Sequence, residues 1–127
     1  MSEKAYEAKI TNASRELTAK EKIMMKDISD AIQIDDATKE DSVIIPVDMY
    51  AVLSVHNEKS DTKDYEKYII VDKQGVKYVT GSESFFRSFM DIVDEMTDAG
   101  EEEITIRAYR KPSKNYVGKD FLTCSIV

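Results

Sequence analysis

A chain of 127 residues and 14.5 kDa has room for one hydrophobic core but not for two sizeable ones, because domains cluster near ~100 to 150 residues. With 42% hydrophobic and 34% charged residues it is not a compositionally disordered chain, and no apolar run approaches the ~18 residues that span a bilayer. The net charge of −7 argues against nucleic acid as a partner until its distribution is counted: residues 104–127 carry +4 and the preceding 103 residues −11, so a basic stripe sits on an acidic body.

The opening run Met-Ser-Glu-Lys-Ala-Tyr-Glu has no apolar stretch of the kind that begins a secretory leader, which predicts a soluble, cytoplasmic protein. A lone cysteine, Cys124, allows no internal disulfide, and with a lone histidine, His56, the chain lacks the ligand set of a structural zinc site. Neither a metal nor another cofactor is expected.

Residues 1–16 hold no sustained hydrophobic period and are expected to form a flexible arm, leaving 17–127 as one domain. Thr18 to Glu21 has the spacing of a capping box. Ile23, Met24, Ile28, Ala31 and Ile32 then recur at threes and fours, predicting an amphipathic helix over 19–34. After a polar connector, the period becomes two: Ile45, Val47, Met49, Ala51, Leu53 and Val55 share one face, with Asp48, Tyr50 and Ser54 on the other. This predicts a long strand over 43–55, with Pro46, which has no amide donor, at an edge or bulge. Residues 56–66 read as a charged loop. Short strands over 67–72 and 76–80 flank Asp72-Lys73-Gln74-Gly75, where glycine suits a hairpin turn. Ser82 caps an expected helix over 83–99 with an apolar stripe of Phe85, Phe86, Phe89, Met90, Val93 and Met96. Alternation returns over 103–111, with Ile104, Ile106 and Ala108 against Thr105, Arg107 and Tyr109, and over 120–127, with Leu122, Cys124 and Ile126 against Phe121, Thr123 and Ser125.

Without the N-terminal helix, the order is long strand, two-stranded hairpin, helix, strand, strand. That is the order of an OB-fold, a mainly β, five-stranded, partly open barrel whose helix lies between strands three and four and whose ligand crosses strands two and three between flanking loops. The extra helix at the N-terminus lies outside the minimal barrel, where it is a candidate for self-association or for covering the open edge.

Two stretches carry a resemblance. Tyr78 to Phe89 and Arg110 to Thr123 together resemble the small single-stranded DNA-binding proteins of phages and mobile elements of Gram-positive bacteria. The resemblance implies an OB-fold and a role in replication or recombination, with single-stranded DNA, further copies of the chain and replication or recombination proteins as partners. It covers roughly the last half of the chain. Cellular bacterial relatives end in a flexible acidic tail that recruits enzymes; this sequence closes on an expected strand, so recruitment through such a tail is not implied.

Sequence-tolerant binding of single strands needs cations that follow phosphates and aromatic faces on which bases stack. The cations are Arg107, Arg110, Lys111, Lys114 and Lys119. The aromatics are Tyr50, Tyr109 and Phe121 on expected non-core strand faces, Tyr68 and Tyr78 on the hairpin and Tyr116 in the basic loop. Arg107 and Tyr109, two apart on one strand, point to the same side. The phenylalanine stripe reads as core, Cys124 as a buried thiol and His56 as a surface residue. The acidic run 98–103 reads as a solvated helix end, and the four glycines are too far apart for a phosphate-cradling loop. No enzyme is expected. An acidic protein-interaction or anti-defence module that does not bind DNA is the competing reading, with the opposite salt dependence.

Overall fold

The computed structural model describes residues 6–59, 61–112, 118 and 120–127. The first strand, β1 (Tyr6–Ala13), replaces the expected arm. It pairs antiparallel with the long strand β3 (Val43–Asn57), from Tyr6 opposite Asn57 to Ala13 opposite Ala51. Its apolar side is carried by small residues, Ala8 and Ala13 with Ile10, and is interrupted by a register shift between Ile10 and Asn12, which left no period to read.

Helix α1 (Ala19–Lys26) starts where the capping box places it: Thr18 Oγ1 accepts from the Glu21 amide at 3.2 Å and Glu21 Oε1 from the Thr18 amide at 3.0 Å. The Arg15 guanidinium on the same carboxylate holds Glu21 down at about 2. The helix does not run on to 34. Asp27 Oδ1 accepts from the Ser29 amide and hydroxyl, a local turn that competes with the helix, while Lys77 reaches in to donate to the carbonyls of Met24 and Asp27. The chain then forms β2 (Ile32–Gln33) and the single turn α2 (Ile34–Ala37). The buried face of α1 is also rotated from the expected one: Met25 is buried, whereas Ile23 and Met24 are exposed.

β3 is the hub. Along one edge its first half pairs with β6 (Ile104–Pro112) and its second half with β1; its other edge pairs with β4 (Asp64–Asp72). A bulge between Val47 and Met49 reverses the side-chain alternation, because one extra residue sends every later side chain to the other face. Ile45 therefore points toward the long helix α3 (Glu83–Asp98), while Met49, Ala51, Leu53 and Val55 point to the α1 side. The hairpin of β4 and β5 (Lys77–Thr80) turns at Gly75, whose φ is 85°, with Asp72 Oδ1 accepting from the Gln74 and Val76 amides at 2.9 Å.

The strands form one sheet in the order β2-β5-β4-β3-β6-β7, β7 being Asp120–Ile126, with β1 on β3 beside that path. The fold is mainly β, a curled half-barrel. Its α3 face buries Tyr50, Ile70, Tyr78, Ile106, Ala108 and Leu122 around Phe85 and Phe89. Its opposite face buries the second half of β3 and Ile69, Val71 and Val79 under Leu17 and Met25. α3 also runs along β7, where Ser84 Oγ donates to the Leu122 carbonyl at 2.8 Å and Ser88 Oγ meets Thr123 Oγ1 at 2.9 Å, so one backbone carbonyl and one side chain of that strand find their partners on the helix.

Candidate nucleic-acid interface

The outer face of the sheet is covered in one part and open in another. Where β4 runs beside β5 little is open: 68–72 and 78–80 are buried without a break, and only the start of β4, with Asp64 and Glu66, is exposed. α3 takes the side chains of one parity, and α1 with its flanking residues takes the other. The chain's own N-terminal segment therefore covers the expected ligand path at Ile69, Val71 and Val79.

β6 and β7 are different, because α1 does not reach them. Ile106 and Ala108 point into the α3 core, which turns Arg107, Tyr109 and Lys111 to the opposite face. The antiparallel register sets Lys111 opposite Phe121 and Tyr109 opposite Thr123. Arg107 lies between Ser125 on β7 and Ile44 on β3. Arg107 and Lys111 are exposed, Tyr109 is half-buried, and Phe121 and Ile44 keep 37% and 47% of their surface. Two cations, two aromatics and an aliphatic side chain thus share this face, with Thr123, buried and hydrogen-bonded to Ser88 of α3, set between Phe121 and Ser125. Ile44 was missed in the sequence although its parity, opposite to Ile45, already pointed it outward.

Other expected members stand elsewhere. Tyr50 is buried edge-on to Phe89 at 5.3 Å, because the bulge in β3 turned it inward. Tyr68 stacks on Phe86, with ring centroids 4.2 Å apart and planes within 6°. Tyr78 is 9% exposed in the same core. Burial raises the phenol pKa of all three, and none offers a face to a base. Arg110 has the parity of Ala108 and turns inward: Nη2 donates to the Asp35 carbonyl at 2.6 Å and Nη1 pairs with Asp120 at 3.2 Å. Asp35 Oδ1 in turn accepts from Thr80 Oγ1 at 2.7 Å, so Arg110 helps to link α2 with β5, β6 and β7. Lys114, Tyr116 and Lys119 lie outside the described residues.

Electrostatics divide the molecule along β6. At its start a cleft of about 1020 Å³ lies between the β3 bulge and the end of α3, lined by Asp48, Asp94, Asp98, Glu101 and Glu102 together with Arg15. Lys111 stands seven residues further along the strand, about 24 Å at ~3.4 Å per residue. That is close to three Debye lengths in physiological salt, so the acidic end is screened from a phosphate at the basic end.

His56 is held between Asp64 and Glu58, its Nδ1 2.7 Å and its Nε2 2.8 Å from their carboxylate oxygens. Burial pushes the Cys124 thiol up to about 12, which leaves it un-ionised and unreactive near neutrality. Among the described residues no three His, Cys, Asp or Glu side chains are grouped to hold a metal ion, and no helix is long and apolar enough to cross a membrane. Comparisons of the chain with protein-family models, with curated proteins and with solved structures returned no match.

Proposed function

We propose that this chain is a sequence-tolerant single-stranded DNA-binding protein of OB type, acting without catalysis in the cytoplasm during phage or mobile-element replication or recombination. The observation that carries the reading is the open β6–β7 face, where Arg107, Tyr109 and Lys111 alternate outward and Lys111 stands opposite Phe121. Bases would stack on Tyr109 and Phe121 while the two cations neutralise the adjoining phosphates, with no donor and acceptor pattern to select a sequence. The OB assignment is supported by the order β3, β4, β5, α3, β6, β7 and by β3 pairing with both β4 and β6. In this chain β2 lies on the outer edge of β5 and α3 lies along β7, so these elements occupy the seam where such a barrel would close.

Titration with oligo(dT), followed by tyrosine fluorescence in a chain that has no tryptophan, is expected to show saturable binding that weakens steeply with salt. An acidic module that binds a basic protein is the alternative, favoured by the carboxylate-lined cleft at the end of α3. Absence of oligo(dT) binding at low salt would leave that alternative standing.

A further inference from the structure

Ile44 stands at the β3 margin of the β6–β7 face and serves neither core. Val43, Ile45 and Val47 pack toward α3, so Ile44 takes the opposite side of β3, where 47% of its surface is exposed. Its partner across the ladder is Arg107. The Val127 amide donates to the Thr105 carbonyl at 3.0 Å, which sets the backbone groups of Thr105, Arg107 and Tyr109 toward β7 and away from β3. Pro46 fits the same alternation: it stands opposite Thr105 with no amide to offer β6, and its carbonyl accepts from the Lys73 amide at 3.0 Å. Ile44 and Arg107 are therefore a non-hydrogen-bonded pair, the closer kind, with Cα atoms ~4.5 Å apart. Tyr109, two residues along from Arg107, is the diagonal neighbour of Ile44 at ~7 to 8 Å, a gap that a ring-sized group bridges. A single exposed isoleucine is ordinary on a protein surface. This one lies one diagonal step from the ring on which a base would stack and directly beside the cation that would hold its phosphate.

We propose that Ile44 gives this face a preference for thymine, through contact with the 5-methyl group of a base stacked on Tyr109. The inference rests on the reading of the β6–β7 face as a single-strand site and names the base that site takes best. In an anti nucleotide the C5–C6 edge of a pyrimidine is the edge nearest its own 5′-phosphate, so a phosphate held at Arg107 brings the 5-methyl group toward Ile44 beside it. The hydrogen-bonding edge then points away from the protein and goes unread. Cytosine and uracil carry only hydrogen at that position. Apolar contact is how side chains recognise the thymine methyl, and burying one such group is worth about fourfold in affinity. That is a bias within otherwise sequence-tolerant binding. Because uracil lacks the methyl group, the same contact favours DNA over RNA without any reading of the sugar.

Paired titrations with oligo(dT) and oligo(dU) of equal length isolate the methyl group, since sugar, phosphate and hydrogen-bonding edge are the same in both. The wild-type chain is expected to bind oligo(dT) about fourfold more tightly. Ile44→Ala is expected to bring the two affinities together by weakening oligo(dT) while leaving oligo(dU) nearly unchanged. Ile44→Leu, which keeps the apolar surface, should hold most of the difference. Circular dichroism checks that each variant is folded. Equal binding of the two oligonucleotides by the wild-type chain would overturn the assignment and leave the single-strand site standing. An Ile44→Ala variant that weakens both alike, or that keeps the wild-type ratio, would also overturn it, the first outcome reducing Ile44 to a support for the Arg107 side chain. Absence of binding to either oligonucleotide would remove the site itself, and the thymine preference with it.

Discussion

Tyr68 and Tyr109 are both strand tyrosines, and what separates them is a neighbour. Tyr68 lies flat on Phe86 in the α3 core, whereas Tyr109 is half-buried on the face of β6 turned from Ile106 and Ala108, with Arg107 and Lys111 exposed on either side. Tyr109→Ala is expected to weaken oligo(dT) binding by about 1 to 3 kcal/mol, roughly fivefold to 150-fold, with only a small change in urea midpoint. Tyr68→Ala should do the reverse, lowering stability by about 3 kcal/mol through a cavity against Phe86 while leaving the binding face intact. His56 supplies a pH dependence. Hydrogen bonds to Asp64 and then Glu58 raise its pKa in the folded state, so its contribution is fully present below the unfolded value near ~6.5 and is lost as pH rises through the folded pKa. Unfolding titrations from about pH 6 upward are expected to show stability falling over that window, and His56→Gln should flatten the fall.

At the scale of elements, periodicity was a sound guide wherever a strand or helix kept one face. The helix over 83–99 and the two closing strands were legible for that reason, while 43–55, 67–72 and 76–80 were legible as runs of strand-forming residues although their side chains divide between two cores. Three things were not. The bulge in β3 inverted a perfect alternation midway and carried Tyr50 inward; Pro46 pointed to an edge or bulge near the strand's start, but the alternation was read straight through the shift between Val47 and Met49. β1 hid in a run of alanine and charged residues because its partner, β3, defines it. The end of α1 coincides with a local Asp27–Ser29 turn, a signal the sequence offered, and with Lys77 from a distant strand donating to the Met24 and Asp27 carbonyls, which no local window contains. Arg110 was misread for a related cause: parity gave its direction, but Asp35, its acceptor, lies 75 positions earlier. Arg110→Met should therefore lower stability by about 1 to 2 kcal/mol by removing a charge-assisted bond to the Asp35 carbonyl. Arg110→Lys should restore only part of this, since one ammonium lacks the fork that serves both Asp35 and Asp120. Urea unfolding of the two variants measures both.

For the whole molecule, a net charge of −7 does not set the affinity for a polyanion, because residues 104–127 carry five cations against one carboxylate, and the cleft carboxylates lie toward the start of β6. If single strands dock on the β6–β7 face, replacing Arg107 and Lys111 together by glutamine removes two phosphate contacts. The slope of log K against log salt should then flatten by about 1.4, at ~0.7 per contact. An unchanged slope would move the phosphate path elsewhere.

The central place of β3 also has a consequence in time. Its second half meets β4 across a short loop, but its first half has no β6 to pair with until more than fifty further residues have been made, and closing that long segment costs chain entropy before any contact repays it. The β3–β4–β5 meander is therefore the natural nucleus, and β6 and β7 dock late. Stopped-flow chevrons should show Leu53→Ala and Ile69→Val slowing refolding, while Ile106→Val and Leu122→Ala chiefly speed unfolding. The face proposed to meet DNA would on that account be the last part of the sheet to form.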